Sequence, residues 1–274
     1  MISGEFIFKD CYDLADAVSI MDMLRRECPW DKVQTHLSIR ENFIEEVYEA
    51  LEGIDNNDSE LMCEELGDVL LQVLFHARIA QDEEQFDIND IADTLCKKLI
   101  LRHPHIFSDI SADDAGTVLK NWDNIKSENK GFTTYSETLK AVSRHLPAVM
   151  RAEKVQAKAA KANFDWQDAN GAMDKVQEEL LETKAAYEEY KLNSGDEHRD
   201  KLFEEVGDLL FAAANVSRMT KVKGETALSK ASDKFTARFE KMENLAMSEG
   251  LKLDEMSLTE MDKFWDRVKA DEKK

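Results

Sequence analysis

The chain has 274 residues, which is enough for one large or two ordinary domains. Charged residues make up 34% of it, only 10 glycines and 3 prolines occur, and the formal net charge is −21. This composition favours helices over sheets, and the negative charge argues against a nucleic-acid or anionic-membrane binder, since both present basic faces. A small polyanion held by local cations and a divalent metal is still allowed.

No apolar run approaches the roughly 20 residues that span a bilayer, and the N-terminus lacks the pattern of a secretory leader. The four cysteines include no CxxC pair, so we expect reduced, mostly structural thiols. We therefore expect a cytoplasmic protein that is not associated with a membrane.

The first half is predicted to form a series of helices. The first of them is an amphipathic helix over residues 10–27 that ends at Cys28-Pro29-Trp30-Asp31. Ser38-Ile39-Arg40-Glu41 has the form of a capping box and predicts the start of a second helix. The predicted inner face of the first helix is Leu14, Val18, Met21 and Leu24. The predicted core stripe of the second helix is Ile44, Val47, Tyr48, Leu51 and Ile54.

A turn at residues 56–58 leads into a helix that carries Glu65 and Asp68 and runs to about residue 81. A helix over residues 89–102 follows and is closed by His103-Pro104-His105, because proline cannot continue it. The last helix of this half is predicted over residues 114–130. A connecting helix over residues 147–161 then opens at Pro147.

The second half repeats the order of features found in the first, which predicts an internal duplication with domains at 1–135 and 136–274. Phe164-Asp165-Trp166 occupies the position in the second half that Pro29-Trp30-Asp31 occupies in the first. A helix with an ExxE pair, a helix with an ExGD string, a helix with KxxxR and a helix with WxxxK follow in both halves. We therefore predict an all-α fold made of two four-helix-bundle-type units.

The ExGD helices are apolar on nearly every other face, as buried helices are. With 57 acids in the chain, a lone acid pair is weak evidence of a site, but both pairs recur. The glycine beside each aspartate costs about 1 kcal/mol in a helix and predicts the close approach of another helix or a ligand. Four facing carboxylates would repel unless a hard cation paired with them, and oxygen ligands select Mg²⁺ or Mn²⁺.

Two other classes of site are excluded by pattern. A di-iron carboxylate bundle needs Glu-x-x-His on two helices, and none of the 6 histidines has a glutamate three residues before it. The GxxxxGK[ST] string of a P-loop is absent as well. Cations four residues apart on later helices could instead hold a polyphosphate beside the metal, and the tryptophan could pack against a base.

This succession of EExxE, EExGDxL, KxxxR and WxxxK, present twice, resembles the tandem-repeat MazG proteins over nearly the whole chain. The resemblance implies an all-α homodimer that requires Mg²⁺ and hydrolyses nucleoside triphosphates to monophosphate and pyrophosphate, clearing unwanted nucleotides. Carried onto this sequence, it implies metal ligands at Glu179, Glu182, Glu205 and Asp208. It implies nucleotide contacts at Lys175, Lys234, Arg238, Trp265 and Lys269. The matching residues of the first repeat are Glu46, Glu49, Glu65, Asp68, Lys98, Arg102, Trp122 and Lys126.

Two differences favour the second repeat as the main catalytic unit and leave the first as weaker or structural. Asn215 stands seven residues after the second motif aspartate, where the first repeat has Phe75, and Lys175 stands where the first repeat has Asn42. We expect Asn215 and Asp208 to contact the nucleotide, and Glu178, Glu179 and Glu182 to be the catalytic carboxylates, with Glu178 or Glu182 activating water.

Two alternatives stay open at this point. One is a narrower pyrophosphatase of the same superfamily, specific for dUTP, dCTP or phosphoribosyl-ATP. The other is a helical adaptor without catalysis, whose acidic faces are simply solvated.

Overall fold

A computed structural model of the chain describes residues 7–108 and 131–272. The chain divides into two compact units, Met1–Asn129 (unit 1) and Lys130–Lys274 (unit 2). The described residues form helices joined by turns and contain no strand, which confirms the predicted all-α class. The predicted helix over residues 114–130, with Trp122 and Lys126, lies outside the described residues.

Unit 1 is built around a helical hairpin. Its described helices are α1 (Leu14–Glu27), α2 (Arg40–Asp55), α3 (Ser59–Asp82), α4 (Ile88–Arg102) and the short α5 (Pro104–Phe107). Helices α2 and α3 pack along each other, and α1 and α4 pack against α3. The core of the unit lies between α1, the segment before α2, and α3. It comprises Met21, Ile39, Leu74, Phe75 and Ile79.

Unit 2 repeats this arrangement, with longer counterparts of α2 and α4. They are α6 (Tyr135–Lys140), α7 (Ala148–Ala160), α8 (Ala169–Leu192), α9 (Asp196–Met219), α10 (Gly224–Ser248) and α11 (Leu258–Asp271). Helices α8 and α9 form the hairpin, α7 packs on α9, and α10 contacts α7, α9 and α11. A core between α10 and α11 is formed by Met242, Ala246, Phe264 and Val268.

Aspartate side chains start several of these helices. Asp13 and Asp87 form capping boxes, and Asp58 and Asp168 accept hydrogen bonds from the backbone N–H groups of the first turn. The capping box predicted at Ser38 is wrong: α2 begins at Arg40 without a side-chain cap. The Ser38 hydroxyl instead accepts from the backbone N–H of Thr35 at 2.9 Å and donates to Gln34 Oε1 at 2.7 Å, so it is engaged within the preceding turn.

The apolar faces of the hairpins are more exposed than the sequence predicts. The five residues of the α2 stripe are 40–55% exposed, and Leu14 of α1 is exposed as well. In α9, which was expected to be buried, Leu210 is 66% exposed and only Ala212 and Ala214 are buried. These predictions are wrong for a single chain, because each hairpin is covered by its own unit on one side only.

The described helices are too short or too polar to cross a bilayer. All four cysteines are free thiols, and three of them are exposed.

Candidate active site

The hairpin of unit 2 gathers three carboxylates from two helices. Glu179 comes from α8, and Glu205 and Asp208 come from α9; one oxygen of each lies within 4.8 Å of the others. The Thr183 hydroxyl joins the helices at this level, since its oxygen lies 2.7 Å from the Glu179 carbonyl and 3.2 Å from the Glu205 carbonyl. These three acids are the unit 2 acid cluster.

Glu179 is the buried member of the cluster. Its side chain is almost completely covered, and its Oε2 has no hydrogen-bond partner. Its other oxygen, Oε1, lies 2.6 Å from Lys175 Nζ, which also contacts Glu178 at 2.7 Å. The hydrogen bonds to Glu178 and Glu179 raise the pKa of the Lys175 ammonium, so this lysine stays charged beside the cluster.

Glu182, the fourth predicted ligand, is not a member of this compact group. It lies one turn after Glu179 on α8. Burial, followed by the charge of Glu179, raises the pKa of its carboxyl group, so the cluster still acts on it electrostatically. A carboxylate with a raised pKa is a better proton acceptor near neutral pH than an ordinary glutamate.

Unit 1 holds a matching group, the unit 1 acid cluster, made by Glu46 and Glu49 of α2 and Glu65 of α3. Burial, followed by the charges of Asp68 and Glu49, raises the pKa of Glu46. Glu65 Oε2 is buried without a partner. Among the described residues no cation pairs with these acids, and the nearest support is the Gln72 amide, 3.5 Å from Glu46 Oε1.

Both clusters suit a hard divalent cation. Each contributes only oxygen atoms from closely spaced carboxylates, and each contains a buried oxygen without a hydrogen-bond donor: Glu179 Oε2 in one and Glu65 Oε2 in the other. Buried charged oxygens of this kind are costly unless a cation or a donor satisfies them. Mg²⁺ and Mn²⁺ are the ions that prefer such ligands.

A pocket of about 680 Å³ opens beside the unit 2 acid cluster, a size typical of small-molecule sites. Lys175, Glu179 and Asp208 line it on one side. The remaining wall combines aromatic rings with three amides, those of Gln156, Asn163 and Asn215. The rings belong to Phe164, Trp166 and Phe211.

Two contacts fix the loop that forms the aromatic wall. Arg218 makes a bidentate ion pair with Asp165 of the loop. Its Nε also donates to Asn215 Oδ1 at 2.9 Å, so one guanidinium group positions both the loop and the Asn215 amide. The Trp166 ring lies against Gly171 at the start of α8, where an added Cβ would meet the indole at 2.8 Å.

The matching place in unit 1 is occupied by a ring. Phe75, which stands where unit 2 has Asn215, is 4% exposed and contacts Trp30 with their ring centroids 6.2 Å apart. The sequence predicted this difference between Phe75 and Asn215. At this position only unit 2 therefore provides an amide.

The other predicted nucleotide contacts lie on α10 and α11, away from the pocket lining of this chain. Arg238 pairs with Glu272 at 2.8 Å, Lys269 pairs with Asp266 at 2.8 Å, and Trp265 packs on Phe235. Lys234 lies on α10, and the first-repeat residues Lys98 and Arg102 lie on α4. Their roles stay predictions.

The close approach predicted at the motif glycines is not present within the described chain. No atom of a neighbouring element lies within 4 Å of a Cβ built on Gly67 or Gly207. The residues that the sequence did not reveal are Gln156 and Arg218. Neither residue belongs to a motif. Each contributes to the site through a contact with a residue more than fifty positions away in the sequence.

Comparisons with known proteins identify relatives of this chain. A family model described as the MazG nucleotide pyrophosphohydrolase domain matches residues 34–107, which contain the unit 1 acid cluster. The chain is 42% identical over 257 residues to a Thermotoga maritima protein named nucleoside triphosphate pyrophosphohydrolase/pyrophosphatase MazG, covering 93% of this chain and 95% of the relative. It is 40% identical over 258 residues to the nucleoside triphosphate pyrophosphohydrolase of Escherichia coli K12, covering 93% and 96%. It is also 45% identical over 247 residues to the uncharacterized protein YabN of Bacillus subtilis, covering 90% of this chain and 49% of the relative.

Proposed function

The chain belongs to the MazG family, and from that premise we propose that it hydrolyses nucleoside triphosphates to nucleoside monophosphates and pyrophosphate. The observation that carries the proposal is the buried Glu179, whose unpartnered oxygen lies with Glu205 and Asp208 beside a pocket lined by a lysine and aromatic rings. We place the main activity in unit 2 for this reason.

The residues of the unit 2 acid cluster, with Glu182 one turn away, would hold Mg²⁺ or Mn²⁺. When bound, the metal supplies charge neutralisation and polarises the phosphoryl oxygens of the substrate. The protein groups do the remaining work. Lys175 offsets negative charge on the triphosphate, which matters in a chain whose net charge is −21.

Glu182 is the better candidate for activating the attacking water. Its pKa is raised, so it accepts a proton more readily near neutral pH, whereas Glu178 is committed to Lys175 at 2.7 Å. We place the attack at the α-phosphorus, as the resemblance to the MazG family implies. Hydrolysis in ¹⁸O-labelled water checks this: the label should enter the nucleotide product, and label in pyrophosphate would contradict it.

We propose that the active form is a homodimer. The hairpin helices of unit 2 leave apolar side chains exposed on the side that their own unit does not cover, and a second copy would cover them. These include Leu180, Leu181, Val206, Leu210 and Phe211. A second copy could also bring Lys234, Arg238, Trp265 and Lys269 to the triphosphate and base.

The broad substrate range implied by the resemblance, which covers common and modified ribo- and deoxynucleotides, is part of the proposal. Pyrophosphate release across a panel of standard and damaged nucleotides tests it. Activity on a single nucleotide would favour the narrower pyrophosphatase, and no release with any nucleotide would favour the adaptor.

Two matched substitutions test the assignment to unit 2. Glu179→Gln should lower pyrophosphate release at least about 100-fold, because it removes a charged ligand from the metal site, whereas Glu46→Gln should retain most of the activity. Both variants keep the shape of the side chain, and thermal melting confirms that they fold. Loss of activity in Glu46→Gln with retention in Glu179→Gln would reverse the assignment.

A further inference from the structure

We propose that Gln156 selects the base of the substrate by accepting a hydrogen bond from an exocyclic amino group within the unit 2 pocket. The inference rests on the proposed function, since that function places a nucleoside triphosphate in this pocket. It adds a preference for bases with an amino group at C6 of a purine or C4 of a pyrimidine, adenine and cytosine, over bases that carry a carbonyl there.

The orientation of the Gln156 amide is fixed by the protein. The side chain is only 8% exposed, and its Nε2 donates to the backbone carbonyl of Phe211 at 2.8 Å. Only the nitrogen of an amide can donate to a carbonyl, so this bond distinguishes Nε2 from Oε1. The remaining polar atom, Oε1, is an acceptor.

This acceptor has no partner within the described chain. Gln156 Oε1 is buried and receives no hydrogen bond, although Gln156 lines the pocket beside Asn215 and the aromatic rings. A buried acceptor without a donor costs free energy, and most such groups in folded proteins are satisfied. A donor on a bound ligand, reached by a small adjustment of the side chains that cover Oε1, would satisfy it.

The position of Gln156 suits the base and not the phosphates. Its anchor, Phe211, follows Asp208 by three residues on α9, which is roughly 4.5 Å along the helix axis. Oε1 is an acceptor and cannot bind phosphate oxygens, which are acceptors too, so phosphates held at the acid cluster would leave it and the aromatic wall to the sugar and base. Flat rings and one directional acceptor are the usual elements of a base-binding site.

Unit 1 provides a natural comparison. Met21 precedes Cys28 by seven residues, as Gln156 precedes Asn163, so the two side chains occupy matching positions before the shared loop. Met21 is 2% exposed and packs in the core with Leu74 and Phe75. The matching position of unit 1 therefore offers no amide, and the proposed selection belongs to unit 2.

The chemistry distinguishes an amino group from a carbonyl. An exocyclic amino group projects beyond the ring and presents N–H donors, whereas a carbonyl would bring a second lone-pair-bearing oxygen against Oε1. Since Nε2 is committed to Phe211, the amide cannot rotate to offer a donor without breaking that bond. A site built in this way rejects a ligand that lacks the donor more strongly than a hydrophobic pocket does.

The test compares ATP with purine riboside triphosphate, which lacks the 6-amino group, and with ITP, which has a carbonyl there. For the full-length wild-type protein with Mg²⁺, we expect kcat/KM for pyrophosphate release to be about tenfold higher with ATP than with purine riboside triphosphate, as for one hydrogen bond. ITP should be poorer still. In Gln156→Met, which copies the residue of unit 1, the ratio of ATP to purine riboside triphosphate should fall close to one.

The control is Gln72→Met, which removes the other buried glutamine with an unpartnered Oε1. It should leave the ratio unchanged, and a collapsed ratio in this variant would move base selection to unit 1 and overturn the proposal. Equal efficiency with ATP and purine riboside triphosphate in the wild type would also overturn it, whether or not Gln156→Met folds. In that case pyrophosphate release itself would still support the proposed function. A wild type that releases no pyrophosphate from any nucleotide would instead remove the function on which the inference rests.

Discussion

At the scale of single residues, the two units differ most in the charge beside their acid clusters. Glu179 of unit 2 has Lys175 at 2.6 Å, whereas Glu46 of unit 1 has only the Gln72 amide at 3.5 Å. The unit 2 site therefore contains a positive charge before any metal or substrate arrives. In the unit 1 site, burial and the neighbouring acids raise the pKa values of Glu46 and Glu65, and no described cation pairs with these acids.

Lys175→Met should destabilise the metal-free protein. Glu179 would keep its buried position without a cation, and a buried charged group that loses its partner typically costs about 1–3 kcal/mol. Thermal melting in EDTA measures the loss. The control is Lys201→Met, because Lys201 pairs with Glu189 at 2.8 Å in a contact whose partners are both about half exposed. An equal effect in the two variants would show that burial of Glu179 is not the cause.

Glu65→Gln should stabilise the metal-free protein near neutral pH and lose this advantage in acid. Burial, followed by the charges of Glu49 and Asp68, raises the pKa of Glu65, so the folded state holds its proton more tightly than the unfolded state does. The carboxylate therefore costs stability as the pH rises past the ordinary pKa, and this cost is absent below about pH 4. Urea unfolding in EDTA at about pH 4 and pH 7 measures it. Glu52→Gln, at an exposed position of α2, is the control and should give no comparable gain at neutral pH; a gain of Glu65→Gln that persists in acid would contradict the explanation.

Whether a site residue can be predicted from the sequence depends on how far away in the chain its contact partners lie. The acids of each cluster were predictable, because ExxE and ExGD strings fall on consecutive helices that a short turn brings together. Glu182 shows the limit of that reasoning, since spacing cannot say which of four acids forms the compact group. Gln156 and Arg218 were not predictable, because their contacts with Phe211 and Asp165 follow from packing and not from periodicity.

At the scale of elements, the close contact in the unit 1 hairpin occurs at a glycine outside the motifs. A Cβ built on Gly53 of α2 would meet the backbone nitrogen of Met62 at 2.7 Å, whereas one built on Gly67 would meet no atom within 4 Å. The sequence drew attention to Gly67 because an aspartate follows it. The α2–α3 approach instead depends on Gly53, near the turn that joins the two helices.

Gly53→Ala should therefore lower the free energy of unfolding by about 1–3 kcal/mol, because the extra methyl group is forced against backbone that cannot rotate away. Gly67→Ala is the matched control: it should raise stability by about 0.5–1 kcal/mol, since alanine is the better helix former. Urea unfolding monitored by circular dichroism measures both. A loss at Gly67 as large as the loss at Gly53 would contradict the open surroundings of Gly67.

Helix positions were predicted well and their burial was predicted poorly, for one reason. Caps such as Asp58 and breaks such as Pro147 are local signals, so the starts of α3 and α7 were close to those expected. Burial of Tyr48 or Leu210 depends on which surface covers the helix, and a periodic apolar stripe does not say whether that surface belongs to the same chain.

At the scale of the whole molecule, the exposed apolar faces have an experimental consequence. If a second copy covers α9, Leu210→Glu should convert a dimer into a monomer, because the charge would be buried at the interface. Size-exclusion chromatography with light scattering measures the mass. Leu192→Glu, at an 82% exposed position at the end of α8, is the control and should leave the mass unchanged. A wild type that is monomeric at high concentration would contradict the dimer.

The contact between Trp166 and Gly171 makes the unit 2 pocket optically observable. The indole rests on a glycine backbone at one face and forms part of the pocket wall, while 46% of the residue is still exposed to water. A molecule that enters the pocket displaces that water, so the emission spectrum of Trp166 shifts to shorter wavelength as the pocket fills. In a variant that keeps Trp166 and replaces the other three tryptophans by phenylalanine, occupancy of the site can thus be followed by intrinsic fluorescence, without hydrolysis and without an attached label.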